Sequence, residues 1–199
     1  RLIKHTRDLA TGELEKESDQ SCGWVNTGGL FIANHHNRMR EYTRLHSLGK
    51  VFDIESQILS PDEVKKIHPL LNTSDITGGL YTPGDGTIDP SGITNAYARA
   101  SKKNNCEIME NTDVTDLIYT GEAVTGIKTS QGDYHGDNVI VCGGSWSELI
   151  LPEIPQCSMH HAYVETDFIP ESKNLPCVRD HDSSIYFKQQ GESIAVGGY

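Results

Sequence analysis

The spacing of apolar residues changes character twice along this chain. In residues 1–20, Leu2, Ile3, Leu9, Ala10 and Leu14 recur among charged neighbours, a helical pattern interrupted at Gly12. Residues 23–33 then become glycine-rich and β-like, with apolar runs at Trp24-Val25 and Leu30-Phe31-Ile32. The helical period returns over residues 37–49, where Met39, Tyr42 and Leu45 fall on one side. Ser60-Pro61-Asp62-Glu63 is a capping box with proline at the first helical position. The helix it opens must stop near Ile67, because His68 precedes Pro69 and is pushed toward extended backbone.

At the centre, Gly84-Asp85-Gly86 predicts a tight turn ahead of Asp89-Pro90. The Asp89 carboxylate can accept from orphan backbone N–H groups, and proline suits the first turn, so a helix starts there. Ile93, Ala96, Tyr97 and Ala100 follow at i, i+3, i+4 and i+7, a stripe expected to be buried. Beyond it the period drops to two. Residues 106–109, 114–119, 123–129 and 138–142 read as strands, with turns at Thr120-Gly121-Glu122 and Gln131-Gly132-Asp133. Later strands are expected at 162–166, 185–188 and 194–196. Val139-Ile140-Val141-Cys142 lacks polar alternation, which suits a strand buried on both faces. It ends in Gly143-Gly144-Ser145-Trp146, whose glycines permit close backbone approach. This order of elements predicts an α/β protein with a β-rich second lobe.

Composition narrows the function. A length of 199 residues suits one domain, or two lobes sharing a core. The formal charge of −11, with no Lys/Arg run, argues against nucleic acid or an anionic membrane as main partner. No run of about 18 apolar residues is present to span a bilayer. Five cysteines, odd in number and without a C-x-x-C pair, support neither a zinc site nor a disulfide framework; buried free thiols in a reducing compartment are expected. No metal site is expected. The chain starts without methionine inside a helical pattern and stops at Gly197-Gly198-Tyr199 within a strand pattern, so it reads as a piece of a longer protein.

There is no G-x-G-x-x-G after a strand, no P-loop and no G-x-S-x-G. His160 and His161 would face opposite sides of a strand, so they do not suit one metal, although one of them can face a pocket. His35-His36 has the same geometry beside a helix start and reads as surface. Arg179-Asp180-His181-Asp182 puts cation, acids and base within four positions; it suits carboxylate binding or a solvated turn, and spacing favours the turn. Tyr186, between Ile185 and Phe187, needs a partner for its hydroxyl if it faces inward.

The stretch Gly79-Leu80-Tyr81, Asp85-Gly86, Asp89-Pro90 resembles the signature of flavin-dependent oxidoreductases of the D-amino-acid-oxidase type. Leu45-His46-Ser47-Leu48-Gly49-Lys50, Leu59-Ser60-Pro61 and Val139-Ile140-Val141-Cys142-Gly143-Gly144-Ser145-Trp146 stand in the order found in that family. His160-His161-Ala162-Tyr163-Val164 and Arg179-Asp180-His181-Asp182 resemble most its dimethylglycine and sarcosine dehydrogenase branch, on the sarcosine side.

The resemblance implies an α/β (α+β) fragment: part of an FAD-binding lobe at about 75–150, and part of an antiparallel β substrate lobe at about 20–70 and 155–199. It implies FAD as cofactor, a small secondary amine as substrate and oxidative N-demethylation. It also implies tetrahydrofolate as one-carbon acceptor in the full-length parent, electron-transfer flavoprotein as electron partner, and the mitochondrial matrix as location. By resemblance His161 and Tyr186 are the catalytic candidates, and Val114, Gly143, Gly144 and Trp146 the cofactor-binding ones. Lys188 stands where relatives often carry arginine, and residues 147–158 form a shorter connection than usual. The alternatives are a dimethylglycine dehydrogenase or a non-catalytic regulatory relative such as the pyruvate dehydrogenase phosphatase regulatory subunit. The piece alone is expected to hold flavin poorly and to turn over nothing.

Overall fold

In the computed structural model, which describes residues 2–198, the chain forms two compact units. One comprises the chain up to Cys106 together with the chain from His161 onward; the other is Glu107–His160.

In the larger unit, helix α1 (Leu2–Asp8) runs through a π-helical turn (Leu9–Glu13) into α2 (Leu14–Ser18). The predicted interruption at Gly12 is therefore one wide turn rather than a break. Ala10 and Leu14 pack with Cys22, Ala96 and Ala100, where two alanines let α2 approach helix α5 (Pro90–Lys103) closely. Asp89 caps α5 by accepting from Ser91 N–H at 3.0 Å, as its sequence predicts. The α5 stripe is narrower than predicted: Tyr97 is 42% exposed, and buried Gly92 stands on the packed face.

The core of this unit is a seven-stranded sheet. Its strands are β1 (Gly29–Ala33), β2 (Gln57–Leu59), β3 (Gly78–Thr82), β7 (Tyr163–Glu165), β8 (Cys177–Asp180), β9 (Ile185–Gln190) and β10 (Ser193–Gly198). They lie in the order β2-β3-β1-β8-β9-β10-β7, antiparallel except for the β1–β8 pair. Alternation sorts β1 onto two cores. Leu30 and Ile32 join Leu59, Val64 and Val178, whereas Ala33 joins Tyr42 and Leu80, with Phe31 and Met39 packed against them. Tyr42 comes from helix α3 (His36–Val51), and Val64 from α4 (Pro61–Ile67), whose predicted capping box is present. Three of these strands were not anticipated: glycines obscured β3, β2 spans three residues, and the polar Arg179–Asp180 pair made the end of β8 look like a turn.

The smaller unit is a three-stranded antiparallel sheet of β4 (Val114–Thr120), β5 (Ala123–Thr129) and β6 (Gly132–His135), followed by a 3₁₀ turn (Gly144–Leu149). Two strand predictions are corrected here. Residues 106–109 form no strand, because Asn105 and Asn111 take positive φ (62° and 55°) and the chain turns at both ends. Residues 138–142 are also outside any strand, and Ile140 is 85% exposed. No described strand offers this run a ladder, and without a neighbour its apolar side chains stay uncovered.

All five cysteines are free, but only Cys22 is buried; Cys106, Cys142 and Cys157 are exposed and Cys177 lies between. No helix among the described residues is long and apolar enough to cross a membrane.

Candidate functional site

Strand β9 sets the geometry of the site. Phe187 packs on the core that holds Leu30 and Val178, so alternation turns Tyr186 to the opposite face. Directly paired residues share a face, and one unbroken row crosses all seven strands: Ile58, Leu80, Phe31, Arg179, Tyr186, Gly197 and Tyr163. At Gly197 a side chain is excluded, because a Cβ there would collide with the Tyr186 ring. The ring therefore lies across the bare backbone of β10, toward the strand that follows His161. His161 is exposed and stands two residues ahead of Tyr163. The sheet thus brings Tyr186 and the His161 strand to one end of the same face, with Gly197 between them.

The turn that feeds β9 is held by a network that the sequence did not disclose. Asp180 Oδ1 accepts from the backbone N–H groups of Asp182 (2.9 Å) and Ser183 (3.2 Å), and Asp180 Oδ2 from Asn34 Nδ2 (3.1 Å). Asp182 Oδ1 accepts from Arg38 Nε at 2.8 Å and lies 3.3 Å from His35 Nε2; its Oδ2 accepts from Asn34 N–H at 3.2 Å. Burial alone would raise both carboxyls, but the hydrogen bonds from Ser183 and Asn34 to Asp180, and from Arg38 to Asp182, outweigh it and hold both below the usual range. Below them, Tyr42 donates to the Ile32 carbonyl at 3.1 Å, and burial pushes its hydroxyl up to about 12. The Arg179–Asp182 segment therefore runs into a turn, as its spacing predicts, with Arg179 and His181 exposed, but its two carboxylates are turned inward and clamped to α3 and to the end of β1. Arg38 and Asp182 lie 144 positions apart, and no local spacing announces their pairing.

Two further residues of the row were missed: Arg179 as a sheet residue, and Gly197 as the partner of Tyr186. A signal for Gly197 did exist. The turn at Gly191-Glu192 pairs Ser193 with Gln190, and counting four residues outward sets Gly197 opposite Tyr186.

In the smaller unit, Val114 opens β4 and is 39% exposed, and Trp146 is exposed on the 3₁₀ turn. Gly143 caps that turn, and a Cβ on it would press on Ser147 at 3.2 Å. Gly144 takes φ +55°, which favours glycine, and no atom lies within 4 Å of where its Cβ would point. The turn thus presents open glycine backbone two residues from an exposed indole.

The family model described as FAD dependent oxidoreductase matches residues 1–199. The chain is 42% identical over its whole length to human mitochondrial sarcosine dehydrogenase. It is 31% identical over 94% of its length to the mouse pyruvate dehydrogenase phosphatase regulatory subunit, and 30% over 94% to rat dimethylglycine dehydrogenase. It spans 22% of the length of the human sarcosine dehydrogenase it matches. In fold it resembles L-proline dehydrogenase from P. horikoshii, with a TM-score of 0.83 at 23% identity, covering 98% of this chain and 53% of that one.

Proposed function

On the premise that this chain belongs to the FAD-dependent oxidoreductase family, we propose that its full-length parent demethylates sarcosine oxidatively to glycine. The observation that carries this reading is the 42% identity to human sarcosine dehydrogenase along the entire chain. FAD, when bound, would supply the two-electron oxidation of the N-methyl C–H bond. The remaining work belongs to side chains of the protein. His161 takes the proton of the substrate ammonium, so that the nitrogen lone pair is available as the C–H bond breaks. Tyr186, fixed over Gly197, directs its hydroxyl at the amine and orients the methyl group. Val114, Gly143, Gly144 and Trp146 are the residues that would hold the cofactor. The resulting iminium yields glycine and a one-carbon unit for tetrahydrofolate, electrons pass to electron-transfer flavoprotein, and the reaction takes place in the mitochondrial matrix.

Two relatives define the competing readings: a dehydrogenase for the tertiary amine dimethylglycine, and a regulatory subunit. The test is anaerobic. The purified parent is mixed with sarcosine or dimethylglycine while its flavin absorbance is followed. Bleaching by sarcosine alone supports the proposal, and bleaching by dimethylglycine alone transfers it to the tertiary amine. Bound flavin that neither amine reduces overturns it in favour of the regulatory reading.

A further inference from the structure

The face of the sheet away from Tyr186 carries two side chains whose hydrogen bonding is incomplete. Phe187 follows Tyr186 in β9 and packs on the core of Leu30 and Val178. Gln189 lies on that same face by alternation, and Ile194 of β10 stands opposite it in the register. At this corner, His68 at the end of α4 and Ser172 in the 3₁₀ turn Pro170–Ser172 line a cavity of about 10 Å³ with Phe187, Gln189 and Ile194.

His68 is 5% exposed and Ser172 1%. Their backbones are fully engaged. His68 N–H donates to the Val64 carbonyl at 2.9 Å, and its carbonyl accepts from Leu71 N–H at 3.1 Å. Ser172 N–H donates to the Ile169 carbonyl at 2.9 Å, and its carbonyl accepts from Leu175 N–H at 3.2 Å. Yet His68 Nδ1 and Ser172 Oγ are buried with no hydrogen-bond partner among the described residues. The Gln189 amide beside them is already committed, accepting from Asn174 N–H at 2.9 Å and donating to the Gly191 carbonyl at 2.8 Å. Lys188, also on the wall, alternates to the other face of the sheet and is exposed.

Buried polar atoms are rarely left unpaired. A cavity holds a water when it offers about 10–15 Å³ and at least two polar partners, and only wholly apolar cavities of this kind stay dry. Burial lowers the His68 pKa, so its ring is neutral at pH 7 and Nδ1 carries either a proton or a lone pair. Water can donate or accept, and the serine hydroxyl rotates to the complementary role. Neither side chain is charged, which suits water rather than an ion.

We propose that this cavity is a site for one internal water, which bridges His68 Nδ1 and Ser172 Oγ and joins the end of α4 to the turn that precedes β8. The water completes both side chains without a direct contact between them, and it exchanges only when this corner of the sheet opens.

The test is a high-resolution crystal structure of the full-length parent, with Ser172→Val beside it. The parent should show one water peak within hydrogen-bond distance of both His68 Nδ1 and Ser172 Oγ. Valine removes the hydroxyl and adds a methyl in the water's space, so the peak should vanish in the variant. In solution, oxygen-17 relaxation dispersion should count one long-lived water fewer in Ser172→Val than in the parent. If the variant does not fold, the density in the parent decides alone. An empty site in the parent, a direct His68–Ser172 hydrogen bond, or an unchanged water count in Ser172→Val overturns the inference.

Discussion

Two apolar runs, Leu30-Phe31-Ile32 in β1 and Val139-Ile140-Val141-Cys142 before the 3₁₀ turn, look alike in sequence and meet opposite fates. The first is an interior strand of a seven-stranded sheet, with Leu30 and Ile32 buried on one face and Ala33 on the other. The second pairs with no described strand and leaves Ile140 85% exposed. Side chains do not distinguish them; neighbours do. Strand β1 has β3 and β8 to satisfy its backbone and helices α3 and α4 to cover its faces.

Truncation in the buried run gives the largest expected effect. Leu30→Ala removes a fully enclosed side chain and should lower unfolding free energy by about 3 kcal/mol, read from urea denaturation of the chain. The same measurement on Arg38→Ala should show a loss of about 2 kcal/mol, because Asp182, which with Asp180 ties Asn34 at the end of β1, loses its charged partner. Gly197→Ala should cost about 1–2 kcal/mol by displacing the Tyr186 ring. In the parent, the same change should lower kcat for sarcosine more than it changes KM. At the other end of the scale, Ile140→Ala should change the stability of this chain by less than about 0.5 kcal/mol. A loss as large as that of Leu30→Ala would erase the contrast between the two runs.

The pH dependence of stability sharpens the same picture. His68 is held below 6.5 by burial, with Lys65 adding to the shift and its own backbone opposing it. Its folded pKa lies below the unfolded one, so its contribution is complete above about pH 6.5 and lost as pH falls through the lowered folded value. Asp180 and Asp182 are also depressed; their contribution is complete above the ordinary carboxylate range and disappears at more acid pH. Urea midpoints should therefore decline in two stages on acidification. His68→Gln should remove the upper stage, and Asp182→Asn should shrink the lower one.

Local chemistry was legible without coordinates. The capping box at Ser60–Glu63, the Asp89 cap, the helix over α3 and the strands at β5, β9 and β10 each follow from residues within a few positions of one another. The family signature around Gly79–Pro90 was equally local. The candidate site was legible only as a set of names: Tyr186, His161 and Arg179 could be singled out, but not the glycine against which the tyrosine packs, nor that Arg179 stands opposite Tyr186 in the sheet.

What the sequence by itself determined is therefore short-range: helix starts, turns, strand periods and a recognisable flavoenzyme signature. Tertiary structure alone decided that β8 lies parallel to β1, that Arg38 neutralises Asp182 from across the chain, and that residues 138–142 stay uncovered. The physical reason is common to all three. Caps and turns are satisfied by atoms a few residues away, whereas a ladder, a long-range ion pair or a covered apolar face needs a partner that only the fold can bring.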